Sequence, residues 1–174
     1  MLDAVGHGLP ATVLAGVAIG AYRHARRNAL DLPDITGEIN AAIAGQFAGS
    51  QFATAVLAGL DLDTGRLRWI NAGHPEPLIV RSTTLVRAPR CPPARPLDLQ
   101  ETEPVCCETR LQPSDQLLLH TDGITEARSP TGEFFGEQRL ADFIAAAAAG
   151  EPAPETVRQL PTGPSSVIRA TPLR

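Results

Sequence analysis

The chain has 174 residues, of which 43% are apolar, and a formal net charge of −4 at pH 7. This length suits one domain with a sizeable core, and the acidic balance argues against a nucleic-acid surface, which needs clustered lysine and arginine. The apolar run at residues 9–21 is shorter than the roughly 20 residues that cross a membrane, and its basic residues follow it, whereas those of a signal peptide come first. We therefore predict a cytoplasmic protein without membrane insertion or nucleic-acid binding.

Two helices are predicted in the first third of the chain. Gly8 and Pro10 mark the start of one, because a proline in the first turn of a helix loses no hydrogen bond, and we expect it to continue to about Asn28. Small and apolar residues surround much of this helix, which predicts that it is mostly buried. Apolar residues at helical spacing predict a second, amphipathic helix at residues 35–47.

The pattern changes at Gln51, after which strands are predicted. Residues 52–60 and 66–72 are typical of a hairpin, because the Asp-Leu-Asp-Thr-Gly turn signal lies between them. The other predicted elements are strands at 75–81, 84–88, 105–111 and 116–121, a proline-rich surface loop at 89–96 and a helix at 137–148. Two helices, several antiparallel strands and a helix indicate an α+β fold, with helices packed on a sheet face.

Three cysteines, Cys91, Cys106 and Cys107, are present. The adjacent pair would point to opposite faces of a strand, and the odd total argues against a disulfide framework. We therefore predict that all three are reduced, as is usual in a cytoplasmic protein.

Two aspartates stand at the ends of predicted elements. Asp3 directly precedes the first helix in the stretch Asp-Ala-Val-Gly-His-Gly, and Asp122 follows a buried strand in Thr-Asp-Gly. Carboxylates are the ligands that Mg²⁺ and Mn²⁺ prefer, and two such ions about 3.5–4 Å apart can drive in-line attack on a phosphate. Taken alone, each aspartate is a weak signal, because a simple turn also accounts for it. His7 is compatible with a general acid, a metal ligand or a structural role, and His74, in a Gly-His-Pro turn, is interpreted as structural.

Four short segments, in the same order and with matching spacing over residues 1–160, resemble one known family. Residues 3–11 resemble its D-V-x-G-H-G-x-x-A stretch, and residues 52–55 resemble its F-x-T strand. Residues 71–78 are similar to its N-A-G-H loop, and residues 118–127 to its L-x-Y-T-D-G-x-x-E-A segment. On these motifs the chain resembles the SpoIIE- and RsbU-like protein serine/threonine phosphatases, a metal-dependent group of the protein phosphatase 2C type.

The resemblance implies a protein phosphatase 2C-like fold, an α-β-β-α sandwich that this chain contains in part. Residues 1–160 would form the C-terminal part of the phosphatase domain. Residues 161–174 contain no aspartate or glutamate and do not match the family's closing strand, so we predict an atypical, disordered tail.

The resemblance also implies a two-ion site for Mn²⁺ or Mg²⁺ at one sheet edge. The metal ligands would be the carboxylates of Asp3 and Asp122, which are also the implied catalytic residues, and the backbone carbonyl of Ala4. We expect the two carboxylates to approach one another. The implied substrate is a protein phosphorylated on serine or threonine, of the anti-sigma-factor antagonist type.

The family's other metal-binding aspartates have no counterpart in this sequence, so we expect impaired activity. One alternative is a non-catalytic, phosphatase-like module that binds the same partner. Another is an unrelated α+β binding domain.

Overall fold

The computed structural model describes residues 1–81, 84–87, 90–92, 94–99, 104–128, 132–148 and 167–170. In this part of the chain the helices are α1 (Leu9–Arg27), α2 (Leu32–Phe47), α3 (Asp122–Thr125) and α4 (Gly136–Ala148). The strands are β1 (Leu2–Ala4), β2 (Ala53–Leu60), β3 (Arg66–Ala72), β4 (Leu78–Arg81), β5 (Thr84–Arg87), β6 (Cys107–Arg110), β7 (Gln116–His120) and β8 (Val167–Ala170). The strand predicted at 75–81 begins only at Leu78, because Pro75 and Pro77 have no N–H to donate to a ladder.

The chain divides into two compact units. The first comprises Met1–Leu60, Leu67–His74 and Cys91–Glu108. The second comprises Asp61–Arg66, Pro75–Arg90 and Thr109–Arg174.

The first unit contains most of a sheet with strand order β1-β2-β3-β6, in which β1 is an edge strand. α1 and α2 pack against each other, and they contact β1 and β2 respectively. Their shared core consists of Leu14, Ala18, Ile39, Ile43, Ala53, Ala55 and Leu57, among others. Because alternate residues of a strand point to the same face, the helices cover one face of β2.

α2 begins earlier than the sequence pattern predicts. The side chain of Asp31 accepts a hydrogen bond from the backbone N–H of Asp34 at 3.1 Å, which caps the helix start, and Pro33 lies in the first turn. The predicted start at Ile35 is therefore three residues late. The helix ends at Phe47, and the next residue, Ala48, has a φ of 48°, in the left-handed conformation common after helix ends.

The prediction that α1 is mostly buried is wrong. Only Leu14, Ala18 and Ala25 of this helix are buried, whereas Leu9 is 75% exposed. α1 packs through one narrow stripe, and the small residues on its other faces do not by themselves bring a neighbour close. Within the described residues, no helix is long and apolar enough to cross a membrane.

The second unit contains an antiparallel sheet with strand order β5-β4-β7-β8. α4 contacts β4 and β5. The core between them is formed by Leu78, Val80, Leu118, Ile124, Leu140 and Ile144.

The prediction of a disordered tail at 161–174 is corrected at Val167–Ala170. These residues form β8, which pairs antiparallel with Leu117–His120 of β7. Two adjacent β-branched residues, Val167 and Ile168, favour a strand, and β7 supplies the backbone partner. The rest of the predicted tail lies outside the described residues.

The prediction of three reduced cysteines is also wrong. Cys91 and Cys107 form a disulfide with a Cα–Cα distance of 5.8 Å, and Cys106 is free. Ala94 and Leu97 form bridges with Ala72 and Ala53 of the first sheet, and the disulfide links Cys91 to the start of β6. The predicted surface loop at 89–96 does not lie wholly at the surface, because Cys91 is buried.

Candidate functional site

Asp3 lies in the middle of β1, at the open edge of the first sheet. Its neighbours Leu2 and Ala4 pack against the core formed by α1 and α2. Since successive side chains of a strand alternate between faces, Asp3 lies on the opposite face. There it is directly opposite Thr54 of β2, and it is half-buried.

The backbone carbonyl of Ala4 faces away from β2. Met1 and Val56 exchange two backbone hydrogen bonds, of 2.7 and 2.9 Å, and bonded and non-bonded pairs alternate along an antiparallel ladder. The pair Ala4–Ala53, three residues further on, is therefore a non-bonded pair. Accordingly, Ala53 exchanges its hydrogen bonds with Leu97 instead. The carbonyl of Ala4 thus points to the open edge, as the implied metal ligand requires.

A glycine-flanked turn connects β1 to α1. Gly6 and Gly8 have φ values of 84° and 73°, in the left-handed region that glycine enters without steric cost. Between them, His7 is exposed. Its role as a general acid, a ligand or a structural residue stays open.

Asp122 is the first residue of α3 and belongs to the second unit. Its backbone carbonyl accepts hydrogen bonds from the N–H of Glu126 at 2.7 Å and the hydroxyl of Thr125 at 3.0 Å, and Ile124 anchors the turn in the core. The carboxylate stands on a fixed turn, and the residue is exposed. The convergence of Asp3 and Asp122 stays a prediction.

The turn after β3 is held by the side chain of Asn71. Its amide oxygen accepts from the N–H of His74, and its amide nitrogen donates to the carbonyl of His74, both at 2.8 Å. His74 is 6% exposed, and its Nδ1 lies 2.8 Å from the hydroxyl oxygen of Thr54, to which it is hydrogen-bonded. Sequence reasoning gave His74 a turn role and included Thr54 in the F-x-T motif without assigning it a role. The signal for Thr54 was that it is the one polar residue in the otherwise apolar run at residues 52–60.

Gly73 in this turn tolerates no side chain. Its φ is 68°, and an added Cβ would lie 2.8 Å from the Cγ of Pro96. We expect Gly73→Ala to lower the free energy of unfolding by about 1–3 kcal/mol, the cost of a strained backbone conformation. Gly16→Ala is the matched control, because Gly16 is helical with nothing within 4 Å of an added Cβ, and it should be neutral or stabilising. Chemical denaturation compares the two, and equal effects would contradict this account of Gly73.

The donor atoms at the sheet edge suit a hard cation, but they are few. The carboxylate of Asp3 and the carbonyl of Ala4 are oxygen ligands of the type that Mg²⁺ and Mn²⁺ take alongside water. Among the described residues, no group of three or more His, Cys, Asp or Glu side chains could hold a metal ion. The residues therefore fit such an ion in kind and would supply part of its ligand shell.

A family model described as Stage II sporulation protein E (SpoIIE) matches residues 1–163. The chain belongs to the SpoIIE family. This membership places it broadly among protein phosphatases of the protein phosphatase 2C type, which are generally metal-dependent. The alternative of an unrelated α+β binding domain is thereby excluded.

Similar proteins agree with this assignment. Protein IcfG of a Synechocystis strain is 35% identical over 98 residues, which are 56% of this chain and 15% of IcfG. The RsbU and RsbW domains of Rv1364c from Mycobacterium tuberculosis superpose with a TM-score of 0.81 at 22% identity, covering 99% of this chain and 51% of that one. The SiaA-PP2C domain of Pseudomonas aeruginosa gives a TM-score of 0.75 at 24% identity, covering 89% and 62%.

These likenesses confirm the predicted α+β fold of protein phosphatase 2C type. The phosphatase domain of SpoIIE from Bacillus subtilis, solved with a fragment of its regulatory domain, also superposes, with a TM-score of 0.65 at 17% identity, covering 97% of this chain and 51% of that one. The chain thus spans 15% of the length of IcfG and 51–62% of these three solved chains.

Proposed function

We propose that this chain is part of a metal-dependent phosphatase that hydrolyses phosphoserine or phosphothreonine on a regulatory protein of the anti-sigma-factor antagonist type. The observation that carries the proposal is the pair of oxygen ligands at the open edge of the first sheet, the carboxylate of Asp3 and the outward carbonyl of Ala4. The likeness to a chain that joins RsbU and RsbW domains supports a regulatory protein as the partner.

Each residue has a distinct part in the proposed reaction. A bound Mn²⁺ or Mg²⁺ supplies Lewis acidity and a bound water of lowered pKa. Asp3 and Ala4 hold the cation from β1, and Asp122 contributes a further carboxylate from the start of α3. The turn at Gly6 and Gly8 sets the end of β1. It therefore sets the positions of the Asp3 carboxylate and the Ala4 carbonyl.

The alternative is a phosphatase-like module that binds the phosphorylated partner without hydrolysing it. The small number of acidic ligands favours it, because no group of three or more His, Cys, Asp or Glu side chains within the described residues could hold a metal ion. Metal binding and turnover distinguish the two candidates.

The test measures Mn²⁺ binding by electron paramagnetic resonance and hydrolysis of a phosphoserine peptide in millimolar Mn²⁺. We expect weak binding and turnover only slightly above background, because hard cations need several carboxylates. Asp3→Ala and Asp122→Ala should abolish both. Asp63→Ala is the control, since Asp63 is exposed in the turn that follows β2, at the other end of that strand from Thr54. No turnover in Mn²⁺ would favour the non-catalytic module, and turnover insensitive to Asp122→Ala would contradict the assigned site.

A cytoplasmic location is part of the same proposal, because the implied phosphorylated regulators act there. The disulfide between Cys91 and Cys107 argues against it, since disulfides are rare in reducing compartments. Thiol trapping in intact cells would decide: a free Cys91 would fit the cytoplasm, and a fully oxidised pair would contradict it.

A further inference from the structure

Three polar side chains follow one another across the face of the first sheet that bears Asp3. Asp3 and Thr54 are directly opposite each other on β1 and β2, so their side chains share one face at a Cβ separation of about 5 Å. The hydroxyl of Thr54 is in turn hydrogen-bonded to Nδ1 of His74 at 2.8 Å. The row therefore runs from the edge strand to the turn after β3.

The far end of this row is rigid. His74 is held at its N–H and its carbonyl by the side chain of Asn71. A bridge between Ala55 and Gly73 ties the turn to β2, and the imidazole is almost fully buried. A buried ring on a fixed backbone holds its hydrogen-bond partner in one rotamer, so Thr54 presents a fixed surface to its cross-strand neighbour.

We propose that Thr54 and His74 form a positioning pair for the carboxylate of Asp3. His74 fixes the rotamer of Thr54, and Thr54 restricts Asp3 to the rotamer that stands beside the carbonyl of Ala4. The pair touches neither substrate nor cation. The positioning of Asp3 does not depend on the proposed function. Only the expected effect on cation binding by Asp3 rests on it.

A purely structural role for the pair predicts a different result. If Thr54 and His74 serve only the turn, losing their hydrogen bond lowers stability and leaves Asp3 unchanged. Thr36→Val is the matched control, because Thr36 is a buried threonine whose hydroxyl donates to the carbonyl of Leu32 within α2 at 2.8 Å. It removes an equivalent hydrogen bond away from the row.

The first measurement needs no metal. Three-bond NMR couplings from the carboxyl carbon of Asp3 to its backbone nitrogen and carbonyl report whether one rotamer or several are populated. We expect one rotamer in the unchanged chain and in Thr36→Val, and averaging in Thr54→Val and His74→Ala. Thr54→Ser should restore the single rotamer. A single rotamer in Thr54→Val, or averaging already in the unchanged chain, would overturn the proposal.

The second measurement is Mn²⁺ binding by the same variants. We expect Thr54→Val to weaken binding by about tenfold, as for groups that orient a metal ligand, and Thr36→Val to leave it unchanged. If Asp3→Ala binds Mn²⁺ as well as the unchanged chain does, the proposed metal function fails. The NMR couplings then still decide whether the pair positions Asp3, so the two failures are distinguishable.

Discussion

Replacing Cys91 with alanine is expected to lower the free energy of unfolding by about 3 kcal/mol, the entropy that a cross-link of this span removes from the unfolded chain. The disulfide joins residues 16 apart in sequence. Cys91 is the residue to replace, because both remaining cysteines, Cys106 and Cys107, then lack it as a disulfide partner. If Cys107 were replaced instead, the adjacent Cys106 could pair with Cys91. The measurement is chemical denaturation of the oxidised protein.

Loss of the disulfide should also loosen the turn at His74. The segment that Cys91 begins contributes a hydrogen bond from the N–H of Ala94 to the carbonyl of Asn71 at 3.1 Å, and Pro96 packs against Gly73. Without the disulfide this segment is held by fewer constraints. We therefore expect faster amide hydrogen exchange at Ala94 and in the turn at His74 than in the oxidised chain.

Two controls make the result decisive. Cys106→Ala keeps the disulfide and should change stability little, since Cys106 is free. Dithiothreitol should lower the stability of the unchanged chain to that of Cys91→Ala and should have no further effect on that variant. An unchanged chain that is insensitive to dithiothreitol would contradict a stabilising disulfide.

The elements that sequence predicts well are those defined by local signals. The turn between β2 and β3 is an example: the side chain of Asp61 accepts from the N–H groups of Asp63 and Thr64, at 3.1 and 3.0 Å, and Gly65 has a φ of 69°. All of these residues lie within five positions of one another. The order of the predicted helices and strands follows from similar short patterns, whereas the short elements β1 and α3 were not predicted.

What sequence could not predict depends on partners far along the chain. β8 exists because β7 offers it a backbone ladder, and the disulfide exists because a long connection returns to β6. In the candidate site, the family resemblance implies Asp3, Ala4 and Asp122 as metal ligands, which stays a prediction. The hydrogen bond between Thr54 and His74, 20 residues apart, depends on strand register, which no single motif encodes.

An ion pair in the second unit was likewise not visible in the sequence. Asp115 has no solvent exposure, and its carboxylate accepts from Nε and Nη2 of Arg81, both at 2.8 Å. It also accepts from the backbone N–H of Gln112 at 2.8 Å. The hydrogen bonds from Arg81 are the main reason that the pKa of Asp115 lies below its usual value of 3.8. The pair joins the end of β4 to the turn before β7.

Asp115→Asn is therefore expected to destabilise the protein by about 2 kcal/mol at pH 7, the size of hydrogen bonds to a charged group, and by less in acid. Because the pKa of Asp115 is lower in the folded state than in the unfolded state, its contribution is complete above the unfolded value of 3.8 and is lost as pH falls through the folded value. Asp61 also has a lowered pKa, but it titrates in both proteins and cancels in the difference. Urea denaturation of both proteins at several pH values should show a stability difference that is constant from pH 7 to about pH 5 and shrinks at lower pH. A constant difference would mean that the charge of Asp115 is not what stabilises this turn.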